Sequence, residues 1–134
     1  MLIPMYLMLV LTLFIGTYTV LGRIRSVSKG EVKIKTYRTM DYDAMPEKLA
    51  VAGRCFNNQF EVPTLFYAVT ISIAALGHVD VFYVGCAWTY AVLRIGHSLV
   101  QATFDRVMVR FVLFVLSWLV LTVMVVREAI MVFS

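Results

Sequence analysis

An all-α integral membrane protein with four transmembrane helices is the fold class this chain predicts, and three observations predict it. Of its 134 residues, 61% are hydrophobic and 15% charged, and the mean hydropathy is +0.85, too apolar for a water-soluble domain of this size. Four apolar stretches recur, each near the roughly 20 residues that cross a bilayer as a helix. Basic residues gather between them on one side only. The expected layout is a single membrane domain over 1–134, with spans at about 2–22, 48–76, 81–102 and 109–132 and a polar loop at about 23–47.

The first stretch lacks the basic residues that precede a secretory signal, and no small-residue cleavage pattern follows it. Leu21, Arg23 and Ile24 stand there instead, so a retained helix is expected. The loop after it carries Gly30, Pro46 and mixed charges, with Asp41, Asp43 and Glu47 against Lys33, Lys35 and Arg38. Asp43 ahead of Met45, Pro46 and Glu47 resembles a helix start, with a capping oxygen and a proline in the first turn. The second span is therefore expected to begin near Pro46 and run unbroken into its apolar part. The turn at 77–80 is short, which makes the second and third spans antiparallel neighbours.

Charge placement orients the chain. Arg23, Arg25, Lys29, Lys33, Lys35, Arg38, Lys48 and Arg54 fall in or beside the first loop, Arg106 and Arg110 in the third, and none in the turn at 77–80. Loops one and three are expected in the cytosol and both termini on the opposite side. Arg127 is the exception, offset locally by Glu128. The net charge of +4 reflects topology rather than a nucleic-acid surface. Cys55 and Cys86 sit on different spans without metal or redox spacing, and no metal site is expected.

Two polar stripes interrupt the apolar pattern. On an unbroken helix Arg54, Asn58 and Glu61, at i, i+4 and i+7, share an arc of about 60°. On the third span Tyr90, Arg94, His97 and Gln101 repeat at i, i+4, i+7 and i+11, and Asp105 extends that face. Arg94 lies about 13 residues after the turn and Glu61 about 16 before it, so their depths are comparable at 1.5 Å per residue. An unpaired charge near the membrane centre costs roughly 2.5 to 3.5 kcal/mol on insertion scales, so a Glu61–Arg94 ion pair is expected. Such a pair alone would lock two helices. The further presence of Arg54, Asn58, His97, Gln101, Arg106 and Arg110 leaves an excess of positive and hydrogen-bonding groups, suited to a polyanionic, water-soluble ligand that meets a lipid-soluble partner.

Arg-Cys-Phe-Asn-Asn-Gln-Phe-Glu-Val-Pro, from Arg54 to Pro63, resembles the signature of the MAPEG family, membrane-associated proteins of eicosanoid and glutathione metabolism. Leu93-Arg94-Ile95-Gly96-His97 is similar to the Arg-x-x-His element of that family's prostaglandin E synthase. The resemblance implies a left-handed four-helix bundle, a homotrimer, and glutathione held as co-substrate between subunits near the cytosolic face. It implies that Arg54, Asn58 and Glu61 contact the tripeptide, that Arg94 pairs with Glu61, and that His97 lines the pocket. Gln101 stands where family enzymes often carry tyrosine, and Val62 directly follows the motif's glutamate, where some carry tyrosine. Arg106 and Arg110 match the spacing of basic residues that approach the glutathione from the third-to-fourth connection, and Arg23 or Arg25 the arginine that closes the first helix and reaches a neighbour's site. At this chain length the implied setting is a bacterial inner membrane.

A guanidinium beside a thiol in a low-dielectric pocket favours the thiolate, and arginine suits the task because it stays charged. Arg110 is the first choice for that role and Arg106 the second. The expected function is a glutathione-dependent transferase or peroxidase that acts on small hydrophobic electrophiles or lipid hydroperoxides, with membrane lipid and a lipophilic small molecule as its other partners. Two rivals stand beside it. One is a non-catalytic scaffold or partner-binding protein on the same bundle, favoured by Gln101 and Val62. The other is a small four-helix transporter using Glu61 as a proton-coupled carboxylate, which the surrounding arginines disfavour by holding that acid ionised.

Overall fold

The computed structural model describes residues 1–103 and 106–133, so Asp105 and its place on the third-span stripe lie outside the described residues. The chain is all-helical, with no strand among those residues. Its elements are α1 (Leu2–Ser28), α2 (Ile34–Thr39), a 3-10 turn (Tyr42–Ala44), α3 (Glu47–Asn58), α4 (Val62–Ala75), α5 (Val81–Thr103) and α6 (Val107–Phe133). At 27 residues each, α1 and α6 are long and apolar enough to cross a membrane. Both turn large apolar side chains outward, among them Leu13, Phe14, Val112, Leu119 and Ile130, an arrangement that water penalises and hydrocarbon does not.

The core joins four helices: Met5 and Met8 from α1, Phe66 and Ile73 from α4, Tyr83, Ala87, Tyr90 and Ala91 from α5, and Leu121 and Met124 from α6. Phe66 and Tyr90 stack with ring centroids 4.1 Å apart. This packing fixes the buried face of α5, which is the polar stripe continued: Arg94, His97 and Gln101 are all at or below 3% exposure.

The expected unbroken second span is two helices. α3 stops at Asn58, and α4 begins at Val62 after Glu61, whose φ and ψ are −88° and −101°. Pro63 is the cause. It has no N–H to offer the Gln59 carbonyl four residues back, and in a continuous helix its ring would collide with that carbonyl. Placed in the first turn of α4, it opens the next helix, a position where its missing donor has no cost.

α4 ends at Ala75 and is closed off by Gly77, whose φ of 74° suits a residue without Cβ. The His78 N–H donates to the Ile73 carbonyl at 3.0 Å and the Gly77 N–H to that of Ala74 at 3.3 Å, the paired bonds that satisfy a helix C-terminus. Asp80 then opens α5, its Oδ1 accepting from the Tyr83 N–H at 2.8 Å. Arg127, expected to be offset by its neighbour Glu128, instead makes a two-bond pair with Asp80 at 3.1 and 2.6 Å and packs over the rings of Phe82 and Tyr83. Glu128, 5% exposed, faces inward on α6, where one oxygen meets His78 Nδ1 at 3.0 Å and the other accepts from the Tyr83 hydroxyl at 3.1 Å. Adjacent residues on a helix point about 100° apart, which is why the two charges find different partners.

Candidate functional site

At the other end of the molecule, the break between α3 and α4 borders a cavity of about 600 Å³. Arg54, Asn57 and Asn58 reach it from α3, Glu61 from the break, His97 and Gln101 from α5, and Arg110 with Phe111 and Phe114 from α6. Six of the residues singled out in the sequence, Arg54, Asn58, Glu61, His97, Gln101 and Arg110, thus share one space. They reach it by a different route from the one expected. Arg54 and Asn58 are presented by a helix, while Glu61 is presented by the non-helical hinge. Irregular backbone in a membrane protein is accommodated where it is buried in protein or lines a cavity, and here it lines one.

The expected Glu61–Arg94 ion pair is not formed. Arg94, 1% exposed, sends Nη2 to the Asn58 carbonyl at 2.7 Å. That carbonyl belongs to the last turn of α3, where the interrupted ladder leaves acceptors without helical donors and the helix dipole leaves partial negative charge. The guanidinium therefore caps the broken helix from the side. Its Nε and Nη1, like His97 Nδ1, are buried without a hydrogen-bond partner, which is uncommon for buried polar atoms.

Two side-chain bonds fasten the end of α3 to α5: Asn58 Nδ2 donates to Gln101 Oε1 at 3.0 Å, and Gln59 Nε2 donates to Ser98 Oγ at 3.1 Å. Gln101 thereby does in this chain what positions Asn58, rather than standing alone on the wall. Phe114 lies beside His97, with centroids 6.2 Å apart, and beneath the Arg94 guanidinium at 6.0 Å. One wall is apolar and the rim is charged.

Three further basic residues singled out in the sequence do not line the cavity. Arg23 lies over the Tyr37 ring at 5.6 Å, Arg25 is in the last turn of α1, and Arg106 is exposed just ahead of α6. Arg25 is placed where a cation complements a helix C-terminus. Conversely, Asn57, Phe111 and Phe114 border the cavity without having been singled out. Asn57 falls off the 3.6-residue stripe, and the two phenylalanines read as ordinary apolar residues of a span.

Chemically, the cavity joins two cationic side chains, an acid and several amides at its rim to an aromatic wall. No group of three or more metal-ligating side chains exists among the described residues. No curated protein and no solved structure matches the chain. A family model described as the MAPEG family matches residues 1–130, a membrane family that includes glutathione transferases and peroxidases, and two apolar helices accord with that setting. Covering nearly the whole sequence, from the first helix through the cavity residues into the last helix, this match shows that the chain belongs to the MAPEG family.

Proposed function

We propose that the protein is a glutathione-dependent membrane transferase or peroxidase acting on small hydrophobic electrophiles or lipid hydroperoxides, working as a homotrimeric four-helix bundle. The observation that carries the reading is the convergence of Arg54, Asn58, Glu61, His97, Gln101 and Arg110 on one cavity of about 600 Å³, within the range of small-molecule sites. Glutathione carries two carboxylates, an ammonium and a thiol. A rim with Arg54 and Arg110 for the carboxylates and the thiolate, and Glu61 for the ammonium, matches that charge pattern.

Arg54 orients a carboxylate of the tripeptide and Asn58 a peptide group, with Gln101 holding the Asn58 amide in place. Glu61 accepts from the ammonium. Arg110 stabilises the negative sulfur and so raises the fraction present as the nucleophile at neutral pH. Phe111 and Phe114 form the side on which a lipophilic co-substrate lies, keeping water from the reacting atoms. Arg94 holds the broken end of α3 and with it Asn58. Arg106, exposed just ahead of α6, stands second to Arg110 for stabilising the sulfur, and Arg23 or Arg25, outside this cavity, is the arginine that would reach a neighbouring protomer's site. Loops one and three face the cytosol, where glutathione is dissolved, and the lipid phase supplies the electrophile.

Calorimetric titration of glutathione into the purified protein in detergent tests the reading. Millimolar-range or tighter binding is expected, abolished in Arg54→Ala and Glu61→Ala, together with conjugation of a chlorodinitrobenzene. Folded protein that is indifferent to glutathione overturns it and leaves the non-catalytic scaffold.

A further inference from the structure

We infer that Tyr42, in the 3-10 turn of loop one, is a positioning residue for the cavity: it holds the Arg54 and Asn57 side chains on the rim and so sets affinity for the carboxylate end of the thiol ligand.

The 3-10 turn leads directly into α3, and it folds back to deliver one side chain to two cavity residues at once, Asn57 lying 15 positions further on. The Tyr42 hydroxyl accepts a hydrogen bond from Asn57 Nδ2 at 2.9 Å. Its ring lies beneath the Arg54 guanidinium, 5.9 Å from the centroid. Both partners border the cavity and both are exposed. A solvent-exposed arginine has several rotatable bonds and samples many rotamers, so fixing it on binding has an entropic cost. A ring already beneath the guanidinium lowers that cost. The bond to Asn57 likewise uses an amide N–H and leaves Oδ1 as the acceptor that Asn57 can offer a ligand.

Gly53 makes this approach possible. A Cβ at that position would stand 2.8 Å from Tyr42 Cε1 and 3.3 Å from Arg23 Nη2, inside contact distance. The absence of a side chain is therefore what lets the loop seat its tyrosine against α3, one residue before Arg54. Arg23 packs into the same seam from α1, which gives it a place in the support of the rim without a contact to the cavity. Met45, 8% exposed, anchors the loop on the other side of the 3-10 turn.

This inference rests on the function proposed above, and its test is arranged so that the two fail separately. In ligand-free protein, amide hydrogen exchange over residues 41–45 is measured for wild type, Tyr42→Phe, Tyr42→Leu and Gly53→Ala. Faster exchange confined to that loop is expected in Tyr42→Leu and Gly53→Ala, with the helices unchanged. Glutathione titrations on the same proteins are expected to show Kd raised about two- to fivefold in Tyr42→Phe, which keeps the ring but loses the Asn57 bond, and more in Tyr42→Leu, each loss being of the size of one exposed cation–π or hydrogen-bond contact. With a chlorodinitrobenzene as electrophile, KM for glutathione rises and kcat holds, because Tyr42 touches neither sulfur nor electrophile. Wild-type affinity in Tyr42→Leu overturns the inference, as does a fall in kcat with KM unchanged. If wild-type protein ignores glutathione, the functional reading falls, and the exchange data alone decide the clamp: an unaltered loop in Tyr42→Leu and Gly53→Ala overturns it, and a loosened one upholds the holding of the rim.

Discussion

The two ends of the molecule use the same kinds of residue to opposite effect. At the turn end, Arg127 and Asp80 share two hydrogen bonds, and both oxygens of the buried Glu128 have partners. At the cavity end, Arg94 keeps two donors buried without partners, His97 keeps Nδ1 so, and Arg54 and Glu61 border open space. A completed polar network in a low dielectric rigidifies, and an incomplete one is costly to maintain. The first arrangement is a fastening. The second leaves Arg54, Glu61 and His97 facing the cavity, and a charged tripeptide is the use proposed here for them.

The sharpest way to separate the ends is to break the completed one. Glu128→Ala leaves the Tyr83 hydroxyl and the His78 ring without their acceptor, and a buried polar group left unsatisfied costs about 1 to 3 kcal/mol. Unfolding in detergent, followed by helical circular dichroism, is expected to show that loss, while glutathione affinity is retained. Equal damage to both properties would mean that the two ends are not separate devices.

Arg54→Ala is the converse. An exposed side chain of this kind contributes within about 0.5 kcal/mol to stability, whereas a charge-assisted bond to a ligand is worth roughly 1.5 to 3 kcal/mol. The variant is expected to unfold like wild type and to lose at least tenfold in glutathione affinity, read by calorimetry.

A smaller effect sharpens the role of the hinge. Pro63→Ala restores the missing N–H and removes the ring clash, so amide-exchange protection is expected to extend through Phe60 and Glu61, turning the acid away from the cavity and weakening glutathione binding several-fold. Protection that stops at Asn58 as before would show that Pro63 is not what divides the helix.

The least effect belongs to acid. The Arg127 guanidinium, helped by the Tyr83 backbone N–H, holds the Asp80 carboxyl below the usual carboxylate range. A carboxyl whose pKa is lower in the folded state stabilises fully above its unfolded value, about 3.9, and that contribution fades as pH falls through the folded value. Asp80→Asn is expected to flatten this part of the decline in unfolding midpoint below about pH 4, where wild type keeps it.

Helical content and family were legible because each is written locally. Apolar runs set the helices, and the Arg54 to Pro63 segment carries the family likeness. The same segment misled on geometry: Pro63 was visible two residues after Glu61, but counting positions on an ideal helix passed over the steric effect of the ring on residue 59. The resulting expectation of a Glu61–Arg94 pair lost to a backbone carbonyl that the break itself left in need of a donor. The pairing of Arg127 with Asp80 joins residues 47 apart, and the placing of Tyr42 on Asn57 joins a polar loop to a helix. Neither follows from periodicity, since both depend on how separate segments meet in space.

The short α4 has a mechanical corollary. Its 14 residues rise only about 21 Å, less than the roughly 30 Å of a bilayer's hydrocarbon layer. Such a deficit is met by local compression of the lipid leaflet, at a cost of fractions of a kcal/mol for each ångström. For an α4 that lies across the bilayer, the same physics would shorten the acyl chains beside it and draw the frontier between two immiscible solvents inward, toward Glu61.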